Sequence, residues 1–208
     1  MPKLYYTPTS CGASSFICAH IKGLKMDCEV VDLMTHITEN GIDFYTINPK
    51  GNVPTIVLDD GTVLNENITC LEYIADQTSG PSLAPDRDSN ERYKLMQILS
   101  FLSSELHSSI GLLFNPNSKE GQIRKFVKSV FDKKMQYLQK HIIKGDYIYG
   151  NQFTIIDAYL HIILSWCGYV NINLLEYPIA YKYFNGIIDL PFVKEAKQRM
   201  ATIPSTIC

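Results

Sequence analysis

One stretch divides this sequence into two patterns that cannot share a layer of structure. Residues 78–88 read Thr78-Ser79-Gly80-Pro81-Ser82-Leu83-Ala84-Pro85-Asp86-Arg87-Asp88, dense in chain breakers and polar groups. Ahead of it, short apolar runs of strand length alternate with helically spaced segments. Behind it, every periodic segment is helical. The expected organisation is an α/β domain over residues 1–80, a linker over 81–88 and an all-helical domain over 89–208.

In the first part, residues 3–6 form an apolar run ended by Thr7-Pro8, which marks a strand followed by a break. Phe16, Ile17, His20 and Ile21 recur at helical spacing, and Gly23 closes that helix. Residues 29–33 read as a second strand. Residues 42–47 read as a short helix halted by Asn48-Pro49-Lys50-Gly51. Residues 55–58 and 62–64 alternate as strands around Asp59-Asp60-Gly61, a hairpin signal, and 67–76 read as a helix. The order β-α-β-α-β-β-α packs as a small mixed sheet covered by helices. In the second part, Tyr93, Met96, Leu99, Leu102, Leu106 and Ile110 recur every three or four residues, predicting one long helix over 89–114. Further helices are expected over 120–143, over 154–168 and after Pro178 and Pro191.

Charge narrows the function. Nineteen basic and 21 acidic residues leave a net charge of -2, which gives nucleic acid no concentrated positive surface to displace its counterions. The apolar run at 159–166 is interrupted by His161 and is too short to span a bilayer. The N-terminus lacks the apolar core of a signal peptide, so a cytoplasmic chain is expected, with no membrane or nucleic-acid partner. The six cysteines lie at no metal-ligand spacing and form no C-x-x-C, so no metal site and reduced thiols are expected. Cys18, Cys28, Cys70 and Cys167 fall in apolar segments and read as core residues, and Cys208 reads as a mobile tail thiol.

Cys11 is set apart by Pro8-Thr9-Ser10-Cys11-Gly12-Ala13-Ser14, between a strand and a helix. Unpaired amides at a helix start favour an anion, so a thiol there is expected to ionise readily. The same amides suit the thiolate of a bound ligand. With Ser14 where a dithiol enzyme carries its second cysteine, the segment fits one-thiol chemistry. The other reading is a helix-cap cysteine without a role. Asn52-Val53-Pro54 precedes a strand, where a proline serves structurally or, in the cis form, turns the Val53 backbone toward an extended ligand. Glu66 and Asn67 open a helix, as caps or as holders of a charged ligand. Thr154-Ile155-Ile156-Asp157 has the form of a structural capping box.

The order of these signals resembles the bacterial beta class of glutathione transferases over nearly the whole chain. The resemblance rests on residues 3–8, Ser10-Cys11, residues 47–54, 72–76 and 101–107, Leu113-Phe114 and residues 150–159. It implies a thioredoxin-like glutathione-binding domain, a helical-bundle domain that supplies much of the second-substrate pocket, and a homodimer. It also implies that Cys11 is the catalytic cysteine, able to form a mixed disulfide with glutathione. Val53, beside Asn52 and an expected cis Pro54, would pair with the cysteinyl part of glutathione. Glu66 and Asn67, with Ser10 nearby, would hold the γ-glutamyl end. Glu105 would reach the neighbouring subunit's glutathione, and His107 would point into the active site.

Four positions depart from the family pattern, namely Ser108, Asn67, His36 in place of a lysine at the glycyl end, and Ser100 in place of an asparagine. A hydrogen bond lost to a charged group costs about 1.5–3 kcal/mol, so weakened glutathione affinity is expected. Leu112, Phe114 and Trp166 are candidate walls for a small hydrophobic electrophile. The expected activity is conjugation of glutathione to electrophiles, with disulfide exchange or peroxidase chemistry through Cys11 beside it. The alternatives are a non-enzymatic ligand-binding protein and a glutathione-dependent isomerase or dehalogenase.

Overall fold

β1 (Lys3–Tyr6) is the middle strand of a five-stranded sheet because both its faces are covered, and Leu4, Tyr5 and Tyr6 are buried in succession. The computed structural model of the chain describes residues 1–118 and 120–202. β2 (Asp27–Asp32) runs parallel to β1, and α1 (Gly12–Lys22) makes the crossover between them. β4 (Thr55–Val57) pairs antiparallel on the other side of β1, and β5 (Val63–Asn65) closes the hairpin. The turn forms as expected from Asp59-Asp60-Gly61, with the Thr62 N–H donating to Asp60 Oδ1 at 2.9 Å. The other edge is β3 (Ile37–Thr38), giving the order β3-β2-β1-β4-β5. α2 (Asn67–Ala75) packs against α1, which ends where Gly23 adopts φ 61°.

Two local expectations change. The short helix expected over 42–47 is one 3-10 turn, Phe44–Thr46, whose N-cap Asp43 accepts the Tyr45 N–H at 3.0 Å. Phe44 anchors it in a core of Tyr5, Val31 and Val53, and Asn48-Pro49 leaves no room for another turn. The two-residue strand β3 was not expected.

The chain groups into two units. The first comprises Met1–Ala84 and the last described helix, α8 (Pro191–Thr202), which packs on α1. The second is Pro85–Asp189, so the helical domain expected to run to residue 208 gives up its last helix to the first unit. In the second unit the expected helix over 89–114 is one run of changing pitch. It passes through α3 (Asn90–Phe101), a π-helical segment Leu102–His107, α4 (Ser108–Gly111) and a 3-10 turn Leu112–Phe114. α5 (Gly121–Tyr137), α6 (Ile155–Tyr169) and α7 (Pro178–Ile188) complete it. Leu95, Leu99, Leu102, Leu106 and Ile110 are all fully buried, which is the stripe read from the sequence. α6 is buried almost all round, and its capping box forms as expected.

Cys18, Cys70 and Cys167 are buried free thiols. Cys28 is buried too but is disulfide-bonded, which corrects the expectation of a reduced thiol there. Cys208 lies outside the described residues. Burial pushes Cys70 and Cys167 up to about 12, above the roughly 8.5 of an unfolded thiol. A raised folded value means the stabilisation is intact below about pH 8.5 and is lost as pH rises toward 12. Thermal midpoints measured from pH 8 to 11 are therefore expected to fall less steeply in a Cys70→Ala/Cys167→Ala variant than in the wild type.

Candidate functional site

In the first unit, the end of β1 delivers Thr7–Ser10 to the start of α1 with Cys11 as its N-cap residue. Ser10 Oγ donates to the Thr7 carbonyl at 2.8 Å and accepts the Gly12 N–H at 3.1 Å, which fixes the loop. The half-buried Cys11 thiol donates to the Val53 carbonyl at 3.4 Å. The structure thus joins two features that lie 42 residues apart in sequence. The Val53–Pro54 bond is cis, as the family resemblance implied.

The state of the thiol is a correction. Burial pushes Cys11 up to about 12, outweighing the Cys11 and Gly12 amides that pull it down, and Glu66 adds a further push upward. Near neutral pH the free site holds a protonated thiol, a hydrogen-bond donor, and not the ready thiolate expected from its helix-start position.

The loop carrying Val53 is held by a residue not singled out from the sequence. Asn48 is fully buried, and its Nδ2 donates to the Asn52 carbonyl at 2.8 Å, Asn52 Oδ1 at 2.9 Å and Thr55 Oγ1 at 3.0 Å. Gly51 sits at φ 64°, and a Cβ there would lie 2.6 Å from the Tyr45 ring and 3.0 Å from His36 Nδ1. Only glycine fits this position. His36 therefore lies against the proline loop, its ring 4.6 Å from that of Tyr45 and its Nδ1 buried without a hydrogen bond.

Glu66, at φ 71°, turns the chain from β5 into α2 and pairs with Lys50. Both side chains are exposed, so the pair does little for stability. Asn67 follows, 6% exposed, and its Oδ1 accepts the hydroxyls of Ser14 and Ser15 at 3.2 and 3.4 Å. Its Nδ2 is buried with no partner. A buried amide donor left open at a helix start is suited to a carboxylate. Ser14, noted in the sequence only as the absent second thiol, thus bonds Asn67 and also the Cys11 carbonyl at 2.6 Å.

The second unit gathers another set. His107 ends the π-helical segment, and its Nδ1 lies 2.6 Å from Tyr159 Oη. Its ring meets Trp166 edge-on at 4.7 Å, and Phe114 meets the other side of Trp166 at 6.1 Å. Leu112 and Phe114 are 56% and 47% exposed, whereas Trp166 is 6% exposed. This is an apolar wall with one imidazole in it. Glu105 pairs with Lys134 across to α5. Ser108 Oγ donates to the Ser103 carbonyl at 3.0 Å, and Ser100 is exposed, its carbonyl accepting from Ser104 Oγ at 2.7 Å.

Residues 11–77 match the family model described as glutathione S-transferase, N-terminal domain. A glutathione S-transferase of Escherichia coli O157:H7 is 36% identical over 93% of this chain and 96% of its own length. The chain belongs to the glutathione S-transferase family. Among solved structures of the family, a sphingomonad glutathione S-transferase complexed with glutathione matches with TM-score 0.89 and 35% identity, covering 96% of this chain and 99% of that one. A beta-class enzyme of Sphingomonas chungbukensis matches with TM-score 0.87 and 33% identity, covering 97% and 100%. The likeness extends through both units, and the thioredoxin-like sheet and helical unit expected from the sequence are those of this family. Among the described residues no helix is long and apolar enough to cross a membrane.

Proposed function

We propose that this chain is a beta-class glutathione S-transferase that joins glutathione to small hydrophobic electrophiles, with Cys11 acting first as a hydrogen-bond donor. The observation that carries the reading is the protonated Cys11 thiol against the Val53 carbonyl, beside the open Asn67 amide. Glutathione laid along the proline loop pairs its cysteinyl backbone with Val53 and competes for the carbonyl that Cys11 occupies. The freed S–H then donates to the ligand sulfur and favours its thiolate, the attacking nucleophile. Glu66 and Asn67 receive the γ-glutamyl end, Ser10 and Asn52 shape the loops, and His36 serves the glycyl carboxylate when protonated.

In the second unit, Leu112, Phe114 and Trp166 receive the electrophile next to His107. Ser100 and Ser108 stand where the family carries polar contacts of other kinds. The active species is a homodimer in which Glu105 leaves Lys134 to reach the neighbouring subunit's glutathione. Disulfide exchange through a Cys11–glutathione mixed disulfide is a slower second activity, because it needs the thiolate that burial disfavours.

Asn67→Ala is expected to raise the KM for glutathione about tenfold with kcat little changed, since one charge-assisted hydrogen bond at the far end of the tripeptide is worth about 1.5 kcal/mol. Steady-state kinetics with varied glutathione check this. Wild-type protein that folds normally yet is not retained on immobilised glutathione supports the ligand-binding alternative instead. Substrate trials decide between conjugation and the isomerase or dehalogenase reading.

A further inference from the structure

Tyr159 carries a role that neither the family motifs nor the glutathione site assigns. It is 1% exposed on α6, and its hydroxyl lies 2.6 Å from Nδ1 of His107. That separation fits an O–H donor, since N–H···O bonds centre near roughly 2.9–3.0 Å and O–H donors approach about 0.2 Å closer. A neutral phenol is the natural donor here, with an ordinary pKa of about 10 against about 6.5 for the imidazole. With Nδ1 accepting, the proton of the neutral ring stays on Nε2.

The rest of the surroundings fix the ring in that pose. Trp166 lies two turns beyond Tyr159 on the same face of α6 and meets the imidazole edge-on, with an interplanar angle of 66°. Tyr159 itself packs against the ring at 5.9 Å and 75°. On the Cδ2 side stands Gly111, and a Cβ added there would come only to 4.0 Å of that atom. The half-buried imidazole is therefore clamped through Nδ1 while the opposite edge is bordered by a residue with no side chain.

We infer that Tyr159 is a positioning residue that holds His107 with its proton on Nε2, so that His107 serves as a hydrogen-bond donor to the second substrate and not as a base toward glutathione. The inference rests on the transferase reading for its consequence, but the tautomer itself does not depend on it. It narrows the substrate class to electrophiles that place an atom gaining negative charge, such as a carbonyl, nitro oxygen or departing halide, against His107 when the thiolate attacks. No proton leaves His107 in this step. The negative charge delivered by the thiolate is stabilised by the Nε2–H bond.

The test uses full-length protein labelled with 15N at its five histidines, with long-range proton–nitrogen correlation above pH 8, where the ring is neutral. The His107 signals are assigned by their loss in His107→Gln. The expected result is an Nε2–H ring in the wild type and a mixture or altered Nδ1 shift in Tyr159→Phe. With it, kcat falls about tenfold for electrophiles bearing such an oxygen or halide, the KM for glutathione is unchanged, and Tyr159→Phe has no further effect in the His107→Gln background. A wild-type ring protonated on Nδ1 overturns the inference, as does a Tyr159→Phe tautomer identical to the wild type. An equal loss of kcat with and without His107 reduces Tyr159 to a packing residue and also overturns it. If the wild type proves inactive as a transferase, the tautomer measurement still decides the Tyr159 claim while the functional reading fails by itself.

Discussion

Cys11→Ala is expected to abolish glutathione-dependent disulfide exchange and to slow conjugation about ten- to a hundredfold, while Cys11→Ser abolishes exchange but keeps most of the conjugation. The split follows from the protonation state of the thiol. A group pushed up to about 12 contributes a donor at neutral pH, and a serine hydroxyl supplies a donor in its place. One hydrogen bond to a thiolate is worth about 1.5–3 kcal/mol, which sets the size of the loss in the alanine variant. Exchange needs a sulfur nucleophile, and neither variant has one at this position. The same argument sets a pH dependence: alkylation of Cys11 in the ligand-free protein is expected to be slow at pH 7 and to rise about tenfold per pH unit toward 12. Parallel assays of an electrophile and a mixed disulfide with both variants check the split. Conjugation undiminished in Cys11→Ala removes Cys11 from that reaction.

Asp157→Ala is expected to lower stability by about 3–5 kcal/mol, the range for stripping the partner from a buried polar network. Asp157 is fully buried at the head of α6. One carboxylate oxygen accepts the Ile148 N–H at 2.9 Å and the Tyr183 hydroxyl at 2.7 Å, and the other accepts the Thr154 N–H at 2.8 Å. Burial raises its pKa and the four hydrogen bonds to Ile148, Tyr183 and Thr154 oppose that, so the carboxylate is held by donors that alanine would leave buried and unpaired. Four segments of the second unit meet at this side chain, so the loss falls on the whole helical unit. A drop in thermal midpoint of about 10 °C is expected by calorimetry. A change below 2 °C would contradict the assignment of Asp157 as the unit's central anchor. Asp157→Asn is expected to lose less, because its carbonyl oxygen still accepts one bond.

The parts of this molecule legible in sequence are those governed by local rules. The helical stripe from Tyr93 to Ile110, the turn at Asp59-Asp60-Gly61 and the box from Thr154 to Asp157 each carry their periodicity or side-chain chemistry within one segment. The parts that were not legible depend on what folds onto what. The helix start at Cys11 argued for an ionised thiol, but the desolvation that outweighs those amides comes from packing that sequence spacing does not reveal. Asn67 showed as a helix-start residue, whereas the serines that orient its amide lie more than fifty positions earlier. The π-helical pitch at His107 is invisible to a 3.6-residue pattern, and so is the hydroxyl of Tyr159 that meets it. The grouping of α8 with the first unit reflects packing on α1, which no linker signal announces.

The most direct measurement is a crystal structure of the protein grown with glutathione, read for the separation between Cys11 Sγ and the ligand sulfur. The account predicts glutathione along residues 51–54, with its sulfur about 3.5–4 Å from Cys11 Sγ as a hydrogen-bonded pair, or about 2.05 Å away as a mixed disulfide after oxidation. It also predicts a γ-glutamyl carboxylate on Asn67 Nδ2. Glutathione bound with its sulfur turned away from Cys11, or absent from this loop altogether, would contradict it.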